Sequence, residues 1–201
     1  MNIVELTTAI ESCWASGHWC FDRPETLGLR FHTDQRFDVD QLSQNGYLRN
    51  QVIEQLTKVI LEANPDYLID CTGFPAHWMT YVAEKLADIL GRTVYVIDRW
   101  DIDNFKNESG RAIVFVDVFT FGVEASWGLQ AARKVGLEPS AVVTIMDRSL
   151  NNTFEWGQNE EDPVRLSVGA IFRRRTNLWP ERDCPTCRDG IKPFDDYLVL
   201  G

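Results

Sequence analysis

Residues 112–126, "AIVFVDVFTFGVEAS", decide the fold. Ala112 to Val118 form an apolar run broken by a single acid, Asp117, which predicts a strand buried on both faces. Thr120 and Gly122 then mark a turn, and a helical pattern opens immediately after it. A strand that enters a helix through a glycine turn is how α/β sheets hold phosphate: the first N–H groups of a helix lack intrahelical acceptors, and glycine lets the backbone come close. Val123 and Glu124 stand in this turn where small neutral residues are preferred.

Outward from that stretch, strands and helices alternate. "YLRNQVIEQLTKVILEAN" (47–64) places Val52, Leu56, Val59 and Ile60 on one helical face, and "DYLIDCTG" (66–73) is a short buried strand. "PAHWMTYVAEKLADILG" (75–91) is a second amphipathic helix, "TVYVID" (93–98) a β-branched strand, and "RWDIDNFKNESG" (99–110) a polar connection. "RAIVFVDV" (111–118), the helix "EASWGLQAARKVG" (124–136) and the strand "SAVVTIMD" (140–147) complete the series. The alternation predicts an α/β fold with a mostly parallel twisted sheet flanked by helices. Ligands in such sheets collect beyond the carboxyl ends of the strands, so the loops after Asp70, Asp98 and Asp117 are the candidate site.

The flanks differ. Residues 3–16 carry Ile3, Leu6, Ile10, Cys13 and Trp14 at helical spacing, and residues 16–40 read as a short hairpin or irregular extended region. In the tail, "TFEWGQNEEDP" (153–163) is acidic and turn-rich, "VRLSVGAIFRRR" (164–175) has strand character, and "NLWPERDCPTCRDGIKPF" (177–194) is loop-like.

The 201 residues are 44% hydrophobic and 25% charged, the composition of one ordinary globular domain. No apolar run approaches the ~20 residues of a membrane span. The N-terminus lacks a basic leader and reads as a first helix, so residence in the cytoplasm is expected. A net charge of −10 disfavours broad binding to nucleic acid or anionic membrane, leaving Arg173, Arg174 and Arg175 as the one local basic patch. Five cysteines predict reduced thiols rather than a disulfide framework. Only Cys184 and Cys187 form a CxxC, which reads as a turn with free thiols. Zinc is disfavoured, the alternative being a Cys₃His set of His18, Cys20, Cys184 and Cys187.

Four stretches together resemble the type I phosphoribosyltransferases, and within them the orotate phosphoribosyltransferase branch. "IVFVDVFTFG" is similar to the family's PRPP-binding motif, and "VTIMDRS" (143–149) to the strand and Asp-Arg pair that follow it. "NLWPERDCPTCRDGIKPF" is similar to its C-terminal tail, and "LRFHTDQRFDV" (29–39) to a strand of its N-terminal hood. The resemblance implies one domain, 1–201, with a core at about 46–150 and a hood from about 1–45 and 164–201. It implies Asp117 as the catalytic acid that orients the ribose. It places PRPP or a related phosphoribosyl nucleotide on Thr120, Gly122 and Glu124, with Thr72, Gly73 and Arg99 at the pyrophosphate side and Mg²⁺ accompanying PRPP. Family members commonly form dimers, so a homodimer or a subunit of a larger assembly is expected.

The departures bear on activity. Val116 replaces the motif's first acid, Phe121 its second threonine, and Val123 and Glu124 the small residues at the helix start. A carboxylate ~5 Å from a phosphate dianion at an effective dielectric of ~20 opposes binding by several kcal/mol. The mobile basic loop of the family corresponds here to 98–111, whose Arg99, Lys106 and Arg111 face Asp98, Asp101, Asp103 and Glu108. Three functions therefore stay open: a phosphoribosyltransferase, a degenerate regulator that senses PRPP or a nucleotide, and an effector or interaction subunit such as those of bacterial retron-type defence assemblies.

Overall fold

A computed structural model describes residues 3–23, 29–72, 78–98, 101–157 and 163–195. The first elements are α1 (Ile3–Ser12), β1 (Trp14–Arg23), β2 (Leu29–Phe37), α2 (Asp40–Gln44) and α3 (Gly46–Leu61). They are followed by β3 (Tyr67–Asp70), α4 (Trp78–Leu90), β4 (Tyr95–Asp98), a 3₁₀ turn (Ile102–Asn104), β5 (Arg111–Phe119) and α5 (Val123–Val135). The chain ends with β6 (Glu138–Asp147), β7 (Thr153–Trp156), β8 (Val164–Arg173), β9 (Leu178–Pro180), a second 3₁₀ turn (Glu181–Asp183), α6 (Pro185–Arg188) and β10 (Phe194–Asp195).

The larger of two compact units, Ser43–Arg174, is built on a six-stranded sheet ordered β4-β3-β5-β6-β8-β7. Every neighbouring pair is parallel except the antiparallel edge pair β7–β8. This is the predicted α/β class. β3 is buried along its whole length and β5 from Ala112 to Val116, as expected for parallel strands covered on both faces. Asn45 starts α3 by accepting the N–H groups of Tyr47 and Leu48 at 3.0 and 3.2 Å. Gly136 ends α5 at φ 94°, donating its N–H to the carbonyls of Ala132 and Arg133.

On one sheet face, Ala112, Val114 and Val116 of β5 pack with Ala125, Leu129, Ala132 and Val135 of α5. Gly128 sets how closely they meet: a Cβ there would lie 2.5 Å from both Cys71 Sγ and Val114 Cγ1. A bare glycine thus lets α5 lie against β3 and β5.

The smaller unit, Met1–Leu42 with Arg175–Gly201, carries a four-stranded sheet ordered β10-β1-β2-β9. β1 and β2 are the predicted hairpin, antiparallel, with a register irregularity between Ser16 and Trp19. Two expectations change. The tail's share of this unit begins at Arg175, not 164, because β8 pairs with β6 from Ala141↔Ser167 to Asp147↔Arg173 and so belongs to the main sheet. The acidic segment read as turns contains β7, which gains its ladder from β8. Among the described residues no helix is long and apolar enough to cross a membrane.

Candidate functional site

The turn between β5 and α5 is built as the sequence suggests. Gly122 holds φ 75°, ψ 24° and forms the N-cap of α5, accepting the N–H of Ser126 at 2.8 Å on its carbonyl. A side chain there would collide with the ring of Phe154, 2.5 Å from an ideal Cβ, so both conformation and space require glycine. Thr120 is half-buried before it, Phe121 is 42% exposed and Glu124 is exposed on the first turn of the helix. Exposure lets water screen the Glu124 charge.

Two residues upstream, alternation separates Val116 from Asp117. Val116 is 2% exposed and faces the α5 side of the core, so the position of the missing acid is spent on packing. Asp117 is half-buried, its Oδ1 accepting the N–H of Val118 at 2.7 Å, while its carbonyl accepts the Thr144 hydroxyl at 2.9 Å.

The neighbouring strands bring further acids to the same end of the sheet. Asp70 and Asp98 are paired in register on β3 and β4. Thr72 does not hold its N–H open for a ligand: its N–H and hydroxyl both bond Asp70 Oδ1, at 3.0 and 2.7 Å. The other two residues expected at the pyrophosphate side, Gly73 and Arg99, lie outside the described residues, as do His77 and Trp100.

Asp147, at the end of β6, went unrecognised as a structural centre. It is fully buried, and its Oδ1 accepts the Ser149 N–H (2.8 Å), the Ser149 hydroxyl (2.7 Å) and the Leu150 N–H (3.2 Å). Its Oδ2 pairs with Arg173 Nη1 at 2.7 Å. The Asp-x-Ser spacing is a readable turn signal, whereas Arg173 comes from the strand partner opposite and is invisible without the pairing. Arg173 is thereby engaged by Asp147.

No protein-family model matches the chain, and no curated protein is detectably similar to it in sequence. Solved structures are similar in three dimensions. Orotate phosphoribosyltransferase from Aeropyrum pernix superposes with a TM-score of 0.54 at 16% identity, covering 71% of this chain and 81% of that one. Leishmania donovani UMP synthase gives 0.59 at 17% identity, over 86% of this chain but only 36% of its own length. Adenine phosphoribosyltransferase from Saccharomyces cerevisiae, solved with adenine and an imino-altritol bisphosphate, gives 0.54 at 11% identity over 85% of this chain and all of that one. The fold is that of a type I phosphoribosyltransferase.

Within this phosphoribosyltransferase fold, the segment that the sequence resemblance matches to a mobile basic loop is tied down in its described part, 101–110. Ile102 is buried in the core, Asp103 pairs with Lys134, and the Glu108 N–H bonds the Val135 carbonyl at 2.8 Å. The Tyr67 hydroxyl donates to Glu108 Oε2 at 2.7 Å. That hydrogen bond, then burial, then the Glu108 charge push the Tyr67 phenol up to about 12.

In the smaller unit of the phosphoribosyltransferase-like chain, His18, His32, Cys184 and Cys187 bring four ligand-type atoms within 4.8 Å of one another. His18, Cys184 and Cys187 belong to the set weighed from the sequence, but His32, not Cys20, is the fourth member. Cys20 lies opposite His32 in the hairpin register and its sulfur stays outside the group. Burial first, then neighbouring Cys184, pushes the Cys187 thiol up. Both cysteines are free thiols.

Proposed function

We propose that the chain binds PRPP or a closely related phosphoribosyl compound at the carboxyl end of its main sheet, on the turn between β5 and α5. The observation that carries this reading is the αL glycine at the N-cap of α5, directly after a strand whose end presents a half-buried carboxylate. In this reading the Thr120 hydroxyl and the first N–H groups of α5 receive the 5′-phosphate, and Asp117 orients the ribose hydroxyls. Carboxylate oxygen is a donor that suits Mg²⁺, and Asp117 would meet a cation that arrives with the pyrophosphate. Val116 offers no oxygen, so the cation would rest mainly on ligand and water. Mg²⁺, when bound, would neutralise the departing pyrophosphate.

A second reading, sensing without turnover, is favoured by the connection at 101–110. Its anchors to Val135, Lys134 and Tyr67 oppose the closure that phosphoribosyl transfer uses to exclude water and neutralise pyrophosphate.

Calorimetric titration of PRPP into the full chain, with and without Mg²⁺, tests the site. Binding that Asp117→Asn weakens about ten- to hundredfold is expected, the scale of a hydrogen bond to a charged group. Absence of binding at millimolar PRPP would sink both readings. Pyrophosphate release with a panel of purine and pyrimidine bases separates them: release supports transfer, and binding without release supports sensing.

A further inference from the structure

The four converging atoms of the smaller unit are arranged as ligands around one centre. His18 Nε2 lies 3.1 Å from His32 Nδ1, 3.3 Å from Cys184 Sγ and 3.7 Å from Cys187 Sγ, and Cys187 Sγ lies 3.2 Å from His32 Nδ1. A neutral imidazole nitrogen has either one proton or one lone pair, so it makes one good hydrogen bond. Three close neighbours on His18 Nε2 exceed that capacity. Tetrahedral zinc with bonds of about 2.05 Å to nitrogen and 2.3 Å to sulfur has edges of roughly 3.3 Å between nitrogens, 3.6 Å between nitrogen and sulfur, and 3.8 Å between sulfurs. The observed separations fall close to those edges.

The chemistry of the set agrees. Two thiolates and two imidazoles are the soft-to-borderline donors that select zinc over Mg²⁺ or Ca²⁺. Two thiolates also cancel the charge of a divalent ion, which permits a neutral complex in a buried place. Four protein donors fill a tetrahedral site, unlike catalytic zinc, which keeps a position open; His18, His32 and Cys184 are 5%, 1% and 0% exposed and Cys187 is half-buried.

The backbone presents these atoms from two ends of the sequence. Cys184 caps α6, Pro185 starts it and Cys187 lies within it, while Gly190 at φ 78° turns the chain away. His32 lies on β2, and His18 lies in the irregular step of β1 between Ser16 and Trp19, the kind of bulge that re-aims a side chain. A metal here would join the N-terminal hairpin to the tail in a unit of roughly 70 residues, a size at which small cores need staples.

We propose that His18, His32, Cys184 and Cys187 form a structural tetrahedral zinc site that holds the smaller unit together, independently of any phosphoribosyl ligand.

The test uses the untagged full chain. Elemental analysis is expected to find about one zinc per chain. After zinc release with a thiol reagent, reduction and reconstitution, Co²⁺ should give the intense visible bands of tetrahedral coordination and a thiolate charge-transfer band. Cys187→Ser and His32→Asn should each lower retained zinc at least about tenfold, while Cys20→Ser and Asp117→Asn keep it. The wild-type cobalt spectrum decides the matter even where a ligand variant does not fold. Less than about a tenth of an equivalent after purification and after Zn²⁺ reconstitution, a weak octahedral cobalt spectrum, another metal at stoichiometry, or equal zinc loss in Cys20→Ser would overturn the proposal.

Discussion

The β5–α5 turn of the larger unit and the histidine–cysteine group of the smaller one are two answers to placing polar atoms accurately. The turn draws Asp117, Thr120, Gly122 and the start of α5 from consecutive chain, and one glycine at φ 75° fixes their relation. The group draws its members from β1, β2, the N-cap of α6 and α6 itself, with Cys184 lying 166 positions after His18. Local geometry is cheap to encode and survives changes such as Val116 and Phe121. Long-range convergence depends on the assembled fold, and it calls for an interaction strong enough to offset closing a long loop.

That contrast breaks if the smaller unit stands without its four-atom centre. We expect the largest effect from Cys184→Ala combined with Cys187→Ala, since apparent zinc free energies reach about 10 kcal/mol and more in small zinc domains. Limited proteolysis should then cut within 1–42 and 175–201 while 43–174 stays protected. Equal resistance of both units in variant and wild type would mean that packing of Leu6, Ile10, Phe37 and Leu42 suffices.

Next in size is the ion pair under the main sheet's carboxyl end. Arg173→Met strands the fully buried Asp147 and should cost about 3 kcal/mol, the lower end for breaking a buried pair, because three hydrogen bonds to Oδ1 remain. Urea unfolding measures it. Asp147→Asn with Arg173→Met should cost less than the single arginine change plus the single aspartate change; additivity would show that the two do not act as a pair.

These two regions also explain what was legible in the sequence. β3 to β6 and α3 to α5 were readable because period, glycine caps and strand-end acids are all local. The Asp117–Thr120–Gly122 series was readable for the same reason. β7 was not: four half-polar residues gain strand geometry only by pairing with β8. The tail boundary was misplaced because "VRLSVGAIFR" has strand character wherever it pairs, and only register with β6 assigns it. The fourth member was not legible either: Cys20 stands near His18 along the chain, whereas the hairpin puts His32 directly across from Cys20 and α6 meets the imidazole.

A smaller effect separates the two glycines of the turn region. Gly128→Ala should cost about 1–3 kcal/mol, since its Cβ meets Cys71 Sγ and Val114 Cγ1 at 2.5 Å and α5 must lift from β5. Gly122→Ala should cost a similar amount through strain at φ 75° and the Phe154 ring, and should also abolish PRPP binding. Gly46→Ala, with open space around it, serves as the control and should change stability by less than about 0.5 kcal/mol. A Gly122→Ala protein that binds PRPP with wild-type affinity would remove the turn from the site.

The smallest effect concerns whether the connection at 101–110 is a fixed part of the larger unit. The Tyr67 phenol donates to Glu108, and that bond, aided by burial, raises its pKa from 10.0 to about 12. The folded state therefore holds this proton more tightly than the unfolded chain does. The stabilisation is fully present below about pH 10 and is lost as pH rises through about 12. Tyr67→Phe should be less stable than wild type at neutral pH, and the difference should shrink across that alkaline window. Absorbance titration should find a late-ionising phenol in the wild type that Tyr67→Phe removes. If the phenol that Tyr67→Phe removes ionises near 10, Glu108 is not held by Tyr67. The connection would then lose one anchor and keep the buried Ile102, the bond to Val135 and the exposed Lys134–Asp103 pair, and closure over a ligand would regain part of its physical basis.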